Sequence, residues 1–132
     1  MTFLERGGTE GATLRARLLG IPPDEYGTTI VTYEEQLRGW LSLIARAHTT
    51  EQLLSAYTHL SAHLEVFNGI RVLRFDDSAA AEFDRLRFIR PRIGTQDTKI
   101  AAIALANDAT LLSRNVSDFN NIPGLRVEDW SA

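Results

Sequence analysis

The sequence predicts an α/β domain with a mostly parallel central sheet covered by helices on both faces. Short β-branched or apolar runs alternate along it with stretches of helical periodicity, which is the pattern of parallel sheets. The segment Asp97–Asn107 is almost wholly apolar after its first turn, so this predicted helix must be buried. The chain shows neither internal repeats nor a linker, and its 132 residues fit a single domain, residues 1–132.

The elements are predicted from periodicity and from stop signals. Helices are predicted over Thr9–Leu19, from Tyr33 to the interruption at His48, over Thr50–Phe67, from Asp76 or Asp77 to about Phe88, and over Asp97–Asn107. Strands are predicted over Thr28–Thr32, Ile70–Phe75, Thr110–Leu112 and Leu125–Trp130. The two helices on either side of His48 should form an antiparallel pair, because only a short break separates them.

Three polar residues lie where such a sheet would bind a ligand. Glu35 follows the first predicted strand, Asp97 stands in the first turn of the buried helix, and Asn115 follows the strand Thr110–Leu112. Parallel sheets bind ligands at the carboxyl ends of their strands, so the three side chains are candidates for one site. Asp118 is a neighbouring carboxylate that could assist.

Each of these residues also has a purely structural interpretation. Asp97 could complement the helix dipole, and Thr32 with Glu35 matches a capping box. Asn115 and Asp118 could satisfy backbone groups in a turn.

Composition narrows the chemistry. Cysteine is absent, which excludes disulfides, thiol catalysis and thiolate metal sites and agrees with a reducing cytoplasm. No stretch is long and apolar enough for a membrane span, no secretory signal is visible, and no glycine-rich phosphate loop occurs. His59 and His63 have the i, i+4 spacing of a zinc pair, but we interpret both as surface histidines on the polar edge of a helix.

The formal net charge of the chain is −3, so its overall charge does not attract the negatively charged backbone of nucleic acid. A local arginine cluster lies just before Asp97; its members are Arg85, Arg87, Arg90 and Arg92. Two interpretations are open for this cluster, a solvated helix edge or a surface for phosphate contacts.

Three blocks, in their order and spacing, resemble the PIN-domain ribonucleases, and within them the VapC toxins of bacterial toxin–antitoxin pairs. The blocks are Thr32–Gly39, Asp97–Ala104, and Leu112–Phe119 followed by Pro123–Leu125. The resemblance implies a PIN-like three-layer α/β/α fold. It also implies that Glu35, Asp97 and Asn115, assisted by Asp118, hold Mg²⁺ or Mn²⁺ and catalyse RNA cleavage.

The sequence differs from the family pattern at its N-terminus. Family members open with a hydrophobic strand that ends in an aspartate, whereas Met1 here stands just after that motif. We therefore expect the first strand of the sheet and its aspartate to be missing, and the natural protein to start upstream of Met1. The intact mass of the protein from its source would test this expectation.

The resemblance predicts a metal-dependent endoribonuclease of the cytoplasm that cleaves single-stranded or looped RNA, with Arg90 and Arg92 as the candidates for positioning the RNA backbone. Its implied partners are a cognate VapB-like antitoxin and a second copy of the chain in a homodimer, with no membrane. A PIN-like protein that binds RNA or antitoxin without cleavage is the alternative, favoured by the missing aspartate and by Asn115 in place of an acid. A third hypothesis is an unrelated α/β interaction domain in which the acidic residues are only caps.

Overall fold

Five short parallel strands form a sheet in the part of the chain that the structure describes. The computed structural model describes residues 2–5, 20–89 and 93–130. Strands β1 to β5 span Phe3–Glu5, Tyr26–Thr29, Arg71–Leu73, Thr110–Leu112 and Arg126–Glu128. Their order is β3-β2-β1-β4-β5, and all four neighbouring pairs are parallel. Together with its helices this sheet gives the predicted PIN-like α/β/α fold.

The prediction that the first strand of the sheet is missing is wrong. β1 occupies the central position, where Leu4 pairs with Gly27 of β2 and with Leu111 of β4. Without β1, strands β2 and β4 would each have a row of unpaired backbone N–H and C=O groups in the middle of the sheet, which is costly. Leu4 is fully buried, so an apolar residue of the N-terminal segment fills the centre of the sheet.

The described residues contain five α-helices. Helices α1 to α5 span Ile30–Ala45, Thr50–Asn68, Asp77–Ile89, Thr95–Ala106 and Val116–Phe119, and a short 3₁₀ turn spans Pro23–Glu25. α1 and α2 pack against each other, as predicted for the two helices around His48. The helix predicted over Thr9–Leu19 lies outside the described residues.

Local hydrogen bonds explain where the helices begin. The Thr49 hydroxyl accepts from the backbone of Gln52, whose side chain in turn accepts from the backbone of Thr49, a complete capping box for α2. Asp76 caps α3, because its carboxylate accepts the backbone N–H of Ala79 at 3.0 Å.

The first strand predicted from the sequence ends three residues too late. The run Thr28–Thr32 has strand propensity throughout, but β2 ends at Thr29 and α1 begins at Ile30. The Thr29 hydroxyl accepts the backbone N–H of Thr32 at 3.1 Å, so it caps the helix. This cap overrides the β-branched propensity of the three residues that follow.

The core lies between the sheet and α4. Ile100 to Ala104 are all fully buried, which confirms that this apolar helix is internal. Its alanines let the helix approach the sheet closely, where Leu111 of β4 is also fully buried.

The interface between α1 and α2 contains an aromatic cluster. His63 is only 7% exposed and lies against Tyr33, Trp40 and Phe67. The prediction of a surface histidine is therefore wrong for His63, although His59 is exposed. The misjudged residue is on the face of α2 that packs on α1, which the polar character of histidine concealed.

Candidate functional site

The segments that follow β1, β2 and β4 all begin at one edge of the sheet, where the carboxyl ends of the strands lie. β1 ends at Glu5, which is paired with Leu112 at the end of β4. β2 ends at Thr29 and leads directly into α1, the helix that carries Glu35. β4 leads into Ser113 and the turn that contains Asn115. In a parallel sheet all these ends lie on the same side.

Helix α4 begins near the same edge. Only Asn107 to Ala109 separate its end from the amino end of β4, so the helix runs back along the strand. Asp97 is the third residue of α4, in a first turn whose cap residue is Gly94. The N-terminal backbone groups of this turn carry a partial positive charge, which favours an acidic side chain or a bound anion there.

A hydrogen bond between side chains joins the first turn of α4 to α1. The Gln96 amide Nε2 donates to Oε1 of Glu34 at 3.1 Å across 62 positions of sequence. Gln96 directly precedes Asp97, and Glu34 directly precedes Glu35. The structure therefore brings together the two helical segments that carry the acidic candidates.

Glu34 is engaged on both of its carboxylate oxygens. Arg38 donates to Oε2 at 2.6 Å while Gln96 donates to Oε1. The Gln96 hydrogen bond is the main cause that lowers the pKa of Glu34; burial opposes it, and the charges of Arg38 and Lys99 lower the pKa further. Of the two consecutive glutamates, Glu34 thus serves as a link between helices, and Glu35 is the one that the sequence resemblance names as a candidate ligand.

The capping-box interpretation of Glu35 is wrong. Thr29 is the cap residue of α1, so Thr32 is already inside the helix and Glu35 lies in its second turn. A side chain at that position cannot reach back to a free backbone N–H at the helix start. Glu35 is half-buried, as is Asp97.

Asn115 precedes the short helix α5 without capping it. Its side chain makes no capping hydrogen bond, although its carbonyl accepts from the backbone of Asp118 at 3.1 Å. The buried hydroxyl of Ser113 instead accepts the backbone N–H of Asn115 at 3.0 Å and shapes the turn. Asn115 and Asp118 are both exposed, so the amide and the carboxylate face solvent beside the sheet edge.

Comparison with known proteins agrees with this arrangement. No family model matches the chain. It is 28% identical over 94 residues to the tRNA(fMet)-specific endonuclease VapC of Salmonella typhimurium, which covers 68% of this chain and 71% of that protein. It is 45% identical over 38 residues to ribonuclease VapC2 of Rickettsia felis, 29% of this chain and 28% of that protein. The crystal structure of DNA-bound VapBC from Salmonella typhimurium superposes with a TM-score of 0.78 at 21% identity, over 98% of each chain.

The chain has the PIN-like fold of the VapC proteins. The resemblance drawn from the three sequence blocks is thereby confirmed. The sheet edge that carries Glu35, Asp97 and Asn115 is the carboxyl edge of that PIN-like sheet.

The donor set of this PIN-like site suits a hard divalent cation. Glu35, Asp97 and Asn115 offer only oxygen atoms, the ligands that Mg²⁺ and Mn²⁺ prefer, and Mg²⁺ is commonly held by one or two carboxylates with water. Within residues 2–5, 20–89 and 93–130, no group of three or more histidine and acidic side chains is close enough to hold a metal ion. The residues therefore fit an ion held by two carboxylates and water better than one enclosed by protein ligands.

The arginine cluster is divided by the structure. Arg85 pairs with Glu82 at 2.7 Å, and Arg87 pairs with Asp84 on the same helix, which is the arrangement of a solvated helix edge. Arg90 and Arg92 lie outside the described residues.

None of the helices among the described residues could span a membrane.

Sequence reasoning missed two features of the site. Glu5 ends the central strand at the site edge, but a three-residue strand carries too short a pattern to be recognised. The link between Gln96 and Glu34 also has no sequence signal, because it joins residues from two distant segments.

Proposed function

We propose that this chain is a VapC-type toxin, a metal-dependent endoribonuclease that acts on single-stranded or looped RNA in the cytoplasm. The observation that carries the proposal is the Gln96–Glu34 hydrogen bond, which joins the segments bearing Asp97 and Glu35 at the carboxyl edge of a PIN-like sheet. The names of its relatives, an endonuclease and a ribonuclease of the VapC kind, support the same activity.

The proposed mechanism gives separate roles to the metal ion and to the side chains of the chain. A bound Mg²⁺ or Mn²⁺ would supply a water of lowered pKa and stabilise negative charge on the leaving oxygen. Glu35 and Asp97 would hold the ion through their carboxylates, and the Asn115 amide oxygen and Asp118 would complete or orient its water shell. Accessible bases make unpaired RNA the preferred substrate. Arg90 and Arg92 remain the proposed contacts to its phosphates.

The partner we propose is a small antitoxin of the VapB kind, and we expect the chain to form a homodimer. The solved structures of similar fold include several VapBC complexes, which supports an antitoxin here. The antitoxin would inhibit the enzyme by covering the acidic edge of the sheet.

The test is RNA cleavage by the purified chain with Mg²⁺, with Mn²⁺ and with EDTA. Glu35→Gln and Asp97→Asn should abolish cleavage, whereas Glu65→Gln, an exposed acid on α2, should not. In the metal-free protein the two site variants should keep or raise the melting temperature, because they remove repulsion between carboxylates. If Asp97 served only the helix dipole, Asp97→Asn would instead cost about 0.3–1 kcal/mol.

One second function has a specific observation in its favour. Asn115 stands where the family also accepts an acid, and the described residues hold no cluster of three acidic ligands. A degenerate PIN-like protein would bind RNA or antitoxin without cutting. Retained RNA binding with no cleavage in either metal would support this alternative and refute the ribonuclease.

A further inference from the structure

We propose that Gln96 is a positioning residue that sets the separation of the Glu35 and Asp97 carboxylates and thereby the affinity of the site for its divalent ion. This inference rests on the proposed function and adds a residue to it. Gln96 is half-buried at the second position of α4, and it contacts α1 through Glu34.

The orientation of the Gln96 amide is determined by its two partners. The Lys99 ammonium can only donate, and it donates to Oε1 of Gln96 at 2.9 Å. The Glu34 carboxylate can only accept when ionised, and it accepts from Nε2 of the same amide at 3.1 Å. Rotating the amide by half a turn would place its NH₂ group against the Lys99 ammonium and its oxygen against the Glu34 carboxylate, so one orientation is strongly preferred.

The bridge between Gln96 and Glu34 continues one turn further along α1. Arg38 holds the second oxygen of Glu34, which gives an ordered chain of side chains from Lys99 through Gln96 and Glu34 to Arg38.

The position of the bridge explains why it would act on the ion. Each acidic candidate is the next residue in the same helix after one partner of the hydrogen bond, Glu35 after Glu34 and Asp97 after Gln96. Helix backbones are stiff, so a change in the distance between these two turns also changes the distance between the two carboxylates. An ion held by two carboxylates is sensitive to their separation, and loss of such supporting contacts commonly weakens metal binding about 10-fold to 100-fold.

The chain offers a reciprocal swap that tests this role. Gln96→Glu alone places two carboxylates against each other at the bridge. Adding Glu34→Gln restores a donor and an acceptor, because the amide introduced at position 34 can donate to the carboxylate introduced at position 96, which still accepts from Lys99. The double variant also keeps the net charge of the wild type. Gln96→Leu removes the bridge without adding charge.

The experiment is calorimetric titration of Mn²⁺ into the full chain at a temperature at which every variant is folded by circular dichroism. Glu82→Gln, which breaks a surface pair of similar exposure on α3, is the matched control. We expect Gln96→Leu and Gln96→Glu to raise the Mn²⁺ dissociation constant about 10-fold, the swap to return it to within about threefold of wild type, and the control to leave it unchanged.

The outcomes separate the two proposals. Equal Mn²⁺ affinity in the wild type and in folded Gln96→Leu, or a swap no better than Gln96→Glu, overturns the positioning role and leaves the ribonuclease intact. A wild type that binds no Mn²⁺ overturns both. A purely structural bridge would change the melting temperatures of the variants without changing their Mn²⁺ affinity, which also refutes the inference.

Discussion

Replacing Gly27 with alanine should destabilise the sheet that supports the site. Gly27 is buried in β2 and pairs with Arg71 of the edge strand β3. A Cβ atom added there would lie 2.6 Å from the backbone carbonyl oxygen of Arg71, and the ordinary contact begins at 3.4 Å. Since the obstacle is backbone, β3 must move away by the difference of about 0.8 Å and strain the hydrogen bonds of the ladder.

The magnitude follows from two opposing effects. Overpacking of this kind costs about 1–3 kcal/mol, and the lower entropy of the unfolded alanine chain offsets about 0.4–1 kcal/mol. We expect a net loss of about 1–2 kcal/mol, which for a domain of this size lowers the melting temperature by about 3–10 °C. Gly39→Ala is the matched control, because an added Cβ there meets no atom within 4 Å on the exposed side of α1.

Urea denaturation followed by circular dichroism measures both variants. Gly39→Ala should gain about 0.5–1 kcal/mol, since glycine in a helix interior is unfavourable. The two substitutions therefore shift the denaturation midpoint in opposite directions. A Gly27→Ala protein as stable as the wild type would refute the register of β2 on β3.

Two further predictions concern α1 and its packing. Burial lowers the pKa of His63, so the folded state resists its protonation. The free energy of unfolding should therefore keep its highest value above about pH 6.5 and fall as the pH decreases toward 5. The slope for one proton is at most about 1.4 kcal/mol per pH unit, and His63→Phe should flatten it in denaturation curves at pH 7.5 and 5.5. Thr29→Val removes the cap of α1 and should cost about 1–2 kcal/mol by thermal unfolding, whereas Thr29→Ser should retain most of that stability. Equal stability of Thr29→Val and wild type would contradict the observed helix start.

Local sequence patterns predicted most of the elements. Strand Thr110–Leu112 was predicted at its observed bounds, and the helix of α4 was predicted as buried because its apolar residues continue around the whole helix. The candidates Glu35 and Asp97 came from their positions at the predicted elements together with the family resemblance, and the structure places them on neighbouring helices. Their roles in ion binding and catalysis stay predictions.

The errors arose where distant segments decide the outcome. Phe3–Glu5 is too short to be recognised as a strand, and it pairs only because β2 and β4 leave a gap that an apolar segment can fill. His63 is polar by composition, yet its ring packs against three aromatic rings of the α1–α2 interface.

The sequence by itself determined the parallel α/β class and the order of the elements after β1, because these follow from periodicity and residue chemistry along the chain. Only the tertiary structure showed that Glu34, the neighbour of the candidate Glu35, links the two helices. This link depends on Gln96, which lies 62 positions from Glu34 in sequence and 3.1 Å from it in space. This hydrogen bond requires the sheet to bring two distant segments together at its carboxyl edge, so no local pattern can encode it.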